Sequence, residues 1–595
     1  MHGELDALKT IWQAAWPGAL AYWSRFVQLS EPSWCFTHDD ERRESLAGSF
    51  AMIRLVDHVV VISLRQVHKH GLHNFATEIL AHEIGHHVYC PADLTDNARL
   101  LARIRAGLPT KEQHGPVVSN LYTDLLINHR LQRAGLNIAG VYQKLSVKNA
   151  GRLWTLYMRI YEVLWNLPRG TLAAGKVDAR INADASLGAR LIRSYSAEWL
   201  DGAGRFACLC LPYLLEDEQL ASAGPMRAWL DTQDAGAGGL PDGLAEIDES
   251  EIEGAIHPAD DPELSGVAKD ERSGETGDAR ERIGGQKTLK KYRQPFEYAD
   301  VLQATGAKAP REELIARYYR ERAMPWLVRF PQRETPAAID PYPEGLDPWD
   351  VGEAIEDVDW LATVMTSPQI IPGVTTRQRL IGTSPGTTPE RTPIDLYLGV
   401  DCSGSMGNPA DHLSYPVLAG AIIALSALRA GSRVKVVLSG EPGRTIGTDG
   451  FVRDEMLVLK TLTDYLGTGT TFGIHRLAET FNHYPQSARP VHILIVTDND
   501  IFSMLDQCKS EKDGWTIARD SLAAARGGGT YVLQLPEYLL NHAGARQAIH
   551  PQCERMKSDG WDVANIDSME ELLQFARRFS EQSYGQADLL RLEAK

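Results

Sequence analysis

Between Ala81 and Cys90 the chain reads AHEIGHHVYC, and His82, Glu83 and His86 in it form an HExxH pattern. Residues four apart share one face of a helix, so two imidazoles there can reach a single tetrahedral Zn²⁺. Glu83 lies beside them, placed to take a proton from metal-bound water and so to serve as the catalytic base. The preceding FATEILA is apolar, which predicts a buried helix. A carboxylate and imidazoles on such a helix are costly unless paired or metallated. A crowded but inert histidine cluster is the competing reading.

Zinc needs a third ligand. Ala92 stands six residues after His86, so a later histidine on the same segment does not supply it. The segment SNLYTDLLINHR offers Asn120, Asp124 and Asn128 at helical spacing, among Val117, Val118, Leu121, Leu125 and Leu126. A buried polar stripe wants partners. Asp124 is the expected third ligand, with Asn120 and Asn128 as hydrogen-bonding supports. Glu112, His114 and Asp96 are rivals. His87 points about 100° away from His86 on a helix and is expected to be structural. Tyr89 and Tyr122 are both able to stabilise an oxyanion, and nothing in their positions selects between them.

A second constellation follows an apolar strand. LYLGVDCSGSMG places Asp401, Ser403 and Ser405 in a DxSxS turn at a strand's carboxyl end, where open α/β sheets hold ligands. Carboxylates and hydroxyls are the hard donors that Mg²⁺ prefers. LGTGTTFG adds Thr470, and LIVTDND adds Asp498 after another apolar strand. A run of turn residues explains one such loop but not three in order.

These three loops resemble the metal-ion-dependent adhesion site (MIDAS) of a von Willebrand factor A (vWA) domain. The resemblance implies direct ligation of Mg²⁺ (or Mn²⁺) by Ser403, Ser405 and Thr470, with Asp401 and Asp498 acting often through water. It also implies an open coordination position that a partner's carboxylate fills. Thr471 stands where many family members carry Asp. HExxH followed by NxxxDxxxN resembles, over about residues 50 to 140, the metallopeptidase-like domain that precedes vWA modules in some bacterial proteins. That likeness implies a zincin-like fold. The stretches YYRERAMPWLVRFP, EGLDPWDVGEAIEDVDWLATV and SPQIIPGVTTRQRLIG are similar to the region upstream of vWA domains associated with MoxR-type AAA+ ATPases. The implied partner is a hexameric MoxR-type ATPase. The segment Gly170–Val177 is a near miss for a phosphate loop, with Val177 where a hydroxyl must reach Mg²⁺ and no strand before it.

The elements that must position these groups divide the chain. A length of 595 residues exceeds one hydrophobic core. Residues 1–230 read as mostly helical, with one β-branched strand at His58–Leu64. Residues 231–286 turn Gly/Pro-rich and acidic, which predicts a flexible linker. Residues 287–390 recover Trp and Pro, as a connector packed on the next domain. Residues 391–595 alternate strands and helices, with IDLYLGV, RVKVVLS, VHILIVT, TYVLQLP and WDVANI as strands. That alternation predicts a doubly wound, Rossmann-like parallel sheet.

Composition narrows the function. With 61 basic against 78 acidic residues the formal charge is −17, which argues against direct nucleic-acid binding. No apolar run is long enough to span a bilayer, and the N-terminus reads as a helix and not a signal peptide. Seven scattered cysteines without a CxxC pair fit a reducing compartment, hence a cytoplasmic protein. Two functions follow as expectations. One is a zinc metallopeptidase acting on protein or peptide substrates and controlled through the vWA domain. The other is a non-catalytic adaptor with a structural zinc that recruits clients to the ATPase.

Overall fold

A computed structural model of the chain describes residues 2–46, 49–145, 151–219, 239–265, 291–335, 339–385, 390–440, 444–467, 469, 471–507, 513–535 and 543–579. It is a mixed α/β, multidomain protein of two compact units, Met1–Arg322 with Ala410–Leu413, and Ala323–Pro409 with Ser414–Lys595.

The first unit begins with helix α1 (His2–Ala21), strands β1 (Ser33–Cys35), β2 (Ala51–Arg54) and β3 (Val59–Ser63), and helix α2 (Ala76–Val88). Then come α3 (Leu94–Ala106), α4 (Gly115–Arg133), α5 (Arg152–Leu164), α6 (Ala179–Ser194) and α7 (Trp199–Gln219). The small sheet has the order β1-β3-β2, with β1 parallel and β2 antiparallel to β3. The strand expected at His58–Leu64 is β3. Its two partners are short, and only three or four residues of each pair, which left little periodicity to read.

Local chemistry sets the helix limits. Asp93 caps α3 by accepting the Asp96 amide, and α4 starts with a proline in its first turn, where no amide partner is needed. Past α4, Gly135 takes φ +98°, a left-handed exit open to glycine. One face of α2 buries Ile79, Leu80 and Ile84 against Trp12, Trp16 and Trp23 and the apolar side of α4. Each such fully buried side chain contributes on the order of 2 kcal/mol.

The acidic stretch departs from the expected flexible linker where it is described. Residues 246–265 form short ordered elements on the first unit. Asp248 and Ser250 meet Arg103 at 3.3 and 2.9 Å, Asp261 meets Arg205 and Tyr195 at 2.7 Å each, and Leu264 enters the core. Buried Arg103 thus holds an exposed carboxylate, Asp248, and half-buried Arg205 holds a buried one, Asp261. The first compact unit runs on past residue 230 to Arg322 and includes helix Pro295–Ala304 and most of helix Arg311–Ala323.

The second unit carries β4 (Asp395–Asp401), α8 (Tyr415–Arg429), β5 (Val434–Gly440), β6 (Arg444–Gly447), α9 (Glu455–Leu462) and α10 (His475–Phe481). It continues through β7 (Val491–Asp498), α11 (Gly514–Ala525), β8 (Arg526–Gln534) and β9 (Asp562–Asn565). They build a six-stranded sheet in the order β6-β5-β4-β7-β8-β9, parallel except for β6. The two central strands are buried along their whole length, as parallel strands covered on both faces must be. Alternation splits them. Tyr397, Ile493, Ile495 and Tyr531 share one apolar cluster with α10 and α11. Leu398 lies on the other face, close under Gly420 of α8. The edge strand β6, whose RTIG is polar and mostly exposed, was not expected.

Candidate metal centre

Helices α2 and α4 cross closely because Gly85 permits it. A Cβ on Gly85 would lie 2.6 Å from both Ile127 of α4 and Trp23. The Trp23 indole donates to the Ala81 carbonyl at 2.6 Å, and the Arg130 guanidinium stacks 4.8 Å from the Trp23 ring. This contact brings the HExxH face of α2 onto the polar stripe of α4.

There His82 Nε2 and His86 Nε2 stand 3.7 and 3.6 Å from the same atom, Asp124 Oδ1. Among the described residues this is the one His/Cys/Asp/Glu group whose donor atoms all lie within 4.8 Å of one another. A tetrahedral Zn²⁺ with bonds of about 2.1 Å sets its ligand atoms about 3.4 Å apart. Two imidazole nitrogens and a carboxylate oxygen are a donor set that zinc takes, so the residues fit that ion.

The outer contacts choose the tautomers. His82 Nδ1 meets Asn128 Oδ1 at 2.8 Å, and His86 Nδ1 meets the Cys90 carbonyl at 3.2 Å. Both acceptors require Nδ1 to carry the proton, which leaves the Nε2 lone pairs toward Asp124. Asn120 Nδ2 donates to the other Asp124 oxygen at 3.0 Å. Asn128 Nδ2 in turn donates to Tyr161 and Tyr142 hydroxyls at 2.9 and 3.1 Å, and these two bond each other and Tyr157. Burial pushes the Tyr157 and Tyr161 phenols far up, so they remain protonated donors. This tyrosine cluster escaped the sequence reading. Its only signal is the i, i+4 spacing of Tyr157 and Tyr161.

The group is buried, with Glu83 at 1 % exposure, His86 at 0 % and Asp124 at 5 %. A cleft of about 470 Å³, including its open mouth, reaches it. His82, Glu83 and Asp124 line that cleft with Asn128, and Phe50, Ile79, Ile138 and Val141 form apolar walls.

The other candidates lie elsewhere. Asp96 pairs with Arg99, and Glu112 accepts the Thr110 amide. His114, the third rival, is the residue just before α4. His87 stacks on His58 with ring centroids 4.0 Å apart. Tyr89 donates to the Ser196 carbonyl and Tyr122 to the Trp199 carbonyl, so neither hydroxyl is turned to the cleft. Cys90 is fully buried, and burial drives its thiol well up, which keeps it protonated. In the Gly170–Val177 loop the Glu162 carboxylate accepts the Leu172 and Ala173 amides, at 2.8 and 2.9 Å, where a phosphate loop would present them to ligand.

In the second unit the ends of the adjacent strands β4 and β7 bring four of the five expected residues together. Ser403 and Ser405 hydroxyls lie 3.0 Å apart, and Ser405 donates to Asp498 at 2.5 Å. Asp401 accepts the Ser403 amide at 2.9 Å and the Thr497 hydroxyl at 2.7 Å. Burial raises the Asp401 carboxyl above its ordinary range, with the neighbouring Asp498 charge adding to it. A hard cation would relieve both effects, and this all-oxygen set fits Mg²⁺. Thr470 lies outside the described residues. Thr471 is buried, 3.4 Å from the Thr497 hydroxyl.

No protein-family model matches the chain, and no curated protein matches it. No helix among the described residues is long and apolar enough to cross a membrane.

Proposed function

We propose that His82, His86 and Asp124 hold Zn²⁺ in a peptidase site, and that Asp401, Ser403, Ser405, Thr470 and Asp498 form a MIDAS in a vWA domain. The observation that carries the first half is the approach of both Nε2 atoms to Asp124 Oδ1, with each Nδ1 already committed. Zinc, when bound, supplies a Lewis acid and lowers the pKa of water at the site. Glu83 accepts the proton of the attacking water and delivers it to the departing amine. The apolar walls hold the substrate chain and exclude bulk water. Asn120 and Asn128 keep Asp124 and His82 in place.

In this reading the second site takes Mg²⁺ or Mn²⁺ and a carboxylate from a protein partner. It links the peptidase to a MoxR-type AAA+ ATPase in the bacterial cytoplasm. The ATPase rests on the sequence resemblance alone, and the compartment on the scattered cysteines.

Burial favours a second reading, in which zinc is structural and the protein is an adaptor that brings clients to the ATPase. His86 is wholly buried. Cleavage of an unfolded protein pool by the wild type, lost in Glu83→Gln with zinc retained, supports the peptidase. Full zinc occupancy with no cleavage of any pool supports the adaptor.

A further inference from the structure

In the second unit, strands Ile339–Pro348 and Arg377–Pro385 pair with each other as a two-stranded sheet, and Val358 bridges to Gln378. Between them the chain forms a small folded body held by polar contacts. The Trp349 indole donates to the Ala354 carbonyl at 3.0 Å, and Thr376 donates to the Trp349 carbonyl at 3.0 Å. Asp359 caps the helix Trp360–Thr366 through the Ala362 amide at 2.9 Å, and Thr363 accepts the Arg377 amide at 2.9 Å.

That helix is inside out. Its buried residue is Thr363, at 0 %, while Leu361 is 71 % and Met365 80 % exposed. Val351, Ile355, Val374 and Ile381 are exposed on the same body. Exposed apolar side chains this dense on an ordered scaffold mark a surface that another molecule covers. A disordered tail would not carry its own caps and turns.

Charge says which molecule. Residues 342–381 hold seven carboxylates against two arginines, and Arg379 is tied to Asp359 at 2.6 Å. Asp350, Glu353, Glu356 and Asp357 are all exposed among the apolar residues. A second copy of so acidic a surface is repelled, and so is an anionic bilayer. We propose that this body is a docking surface for a protein segment that presents apolar side chains flanked by lysine and arginine. Its apolar residues supply contact area, and its carboxylates steer and orient the partner.

The test uses the full chain and two synthetic amphipathic peptides of equal length, one Leu/Lys and one Leu/Glu, followed by fluorescence anisotropy. The Leu/Lys peptide should bind and the Leu/Glu peptide should not. L361S/M365S keeps the charge and should weaken binding by about tenfold or more, as loss of central apolar anchors does. E356K/D357K should flatten the salt dependence. Both pairs are exposed, and unchanged circular dichroism verifies their folding. Three results overturn the proposal. One is equal binding of both peptides, or of neither. Another is Leu/Lys binding indifferent to L361S/M365S, which marks unspecific charge. The last is dimerisation, or binding to neutral phosphatidylcholine vesicles, that L361S/M365S abolishes, which assigns the surface to a second copy or to a bilayer.

Discussion

Asn128 of α4 accepts from His82 of α2 across 2.8 Å, and that one contact decides which imidazole nitrogen faces Asp124. The same amide donates to two tyrosine hydroxyls, so its own orientation is fixed from behind. The histidine is therefore held before any ion arrives. Preorganisation of this kind raises metal affinity because less order is lost on binding.

Asn128→Ala removes the acceptor and frees the His82 ring. Zn²⁺ affinity should fall by about 10- to 100-fold, the usual cost of losing such a support. Competition with a chromogenic chelator measures it. Unchanged affinity means that His82 does not need Asn128 to point correctly.

Gly85→Ala sets a methyl group 2.6 Å from Ile127 and from Trp23, both of which are packed on all sides. Overpacking of this kind costs about 1–3 kcal/mol. Denaturant unfolding of the zinc-free protein should show that loss in the transition of the first unit. Zinc affinity should also drop, since α2 must move off α4. A variant as stable as wild type means that the helices have room to part.

These two residues also mark how far the sequence could be read. HExxH and the Asp124 stripe stood out because helical spacing puts i and i+4 on one face, and the structure brings those faces together. The parallel strands stood out because buried β-branched runs such as VHILIVT have few other uses. The order of the described part of the acidic stretch, 239–265, was not legible. Its anchors Arg103 and Arg205 lie 145 and 56 positions away from Asp248 and Asp261, and no local pattern records such a pairing. The need for glycine at position 85 was hidden too, because Trp23 and Ile127 become its neighbours only in the fold.

Stability of the second unit should depend on pH through His492. Burial lowers its pKa to about 4, below the ordinary 6.5, and outweighs the bond to the Gly527 carbonyl, which favours the charged ring. The unfolded state then binds the extra proton between those values. Stability is full above pH 6.5 and declines as pH falls toward 4, by up to about 3 kcal/mol. His492→Gln should remove that part of the slope in urea unfolding across this range. Parallel pH profiles for the two proteins contradict it.

Asp401→Ala should abolish Mg²⁺ and Mn²⁺ binding by the second unit while leaving zinc in the first. Its carboxylate fixes Ser403 and Thr497 as well as supplying charge. Isothermal titration with Mn²⁺ reads the loss directly. Retained Mn²⁺ affinity means that the serines and Asp498 suffice without it, or that the cation sits elsewhere.

The most direct measurement is the zinc content of the purified full chain in the Asp401→Ala background, by mass spectrometry after dialysis, with and without Asp124→Ala. One zinc per chain, lost on Asp124→Ala while the fold persists by circular dichroism, is the predicted result. A chain that retains no zinc, or that keeps it undiminished without the Asp124 carboxylate, contradicts a centre built from His82, His86 and Asp124.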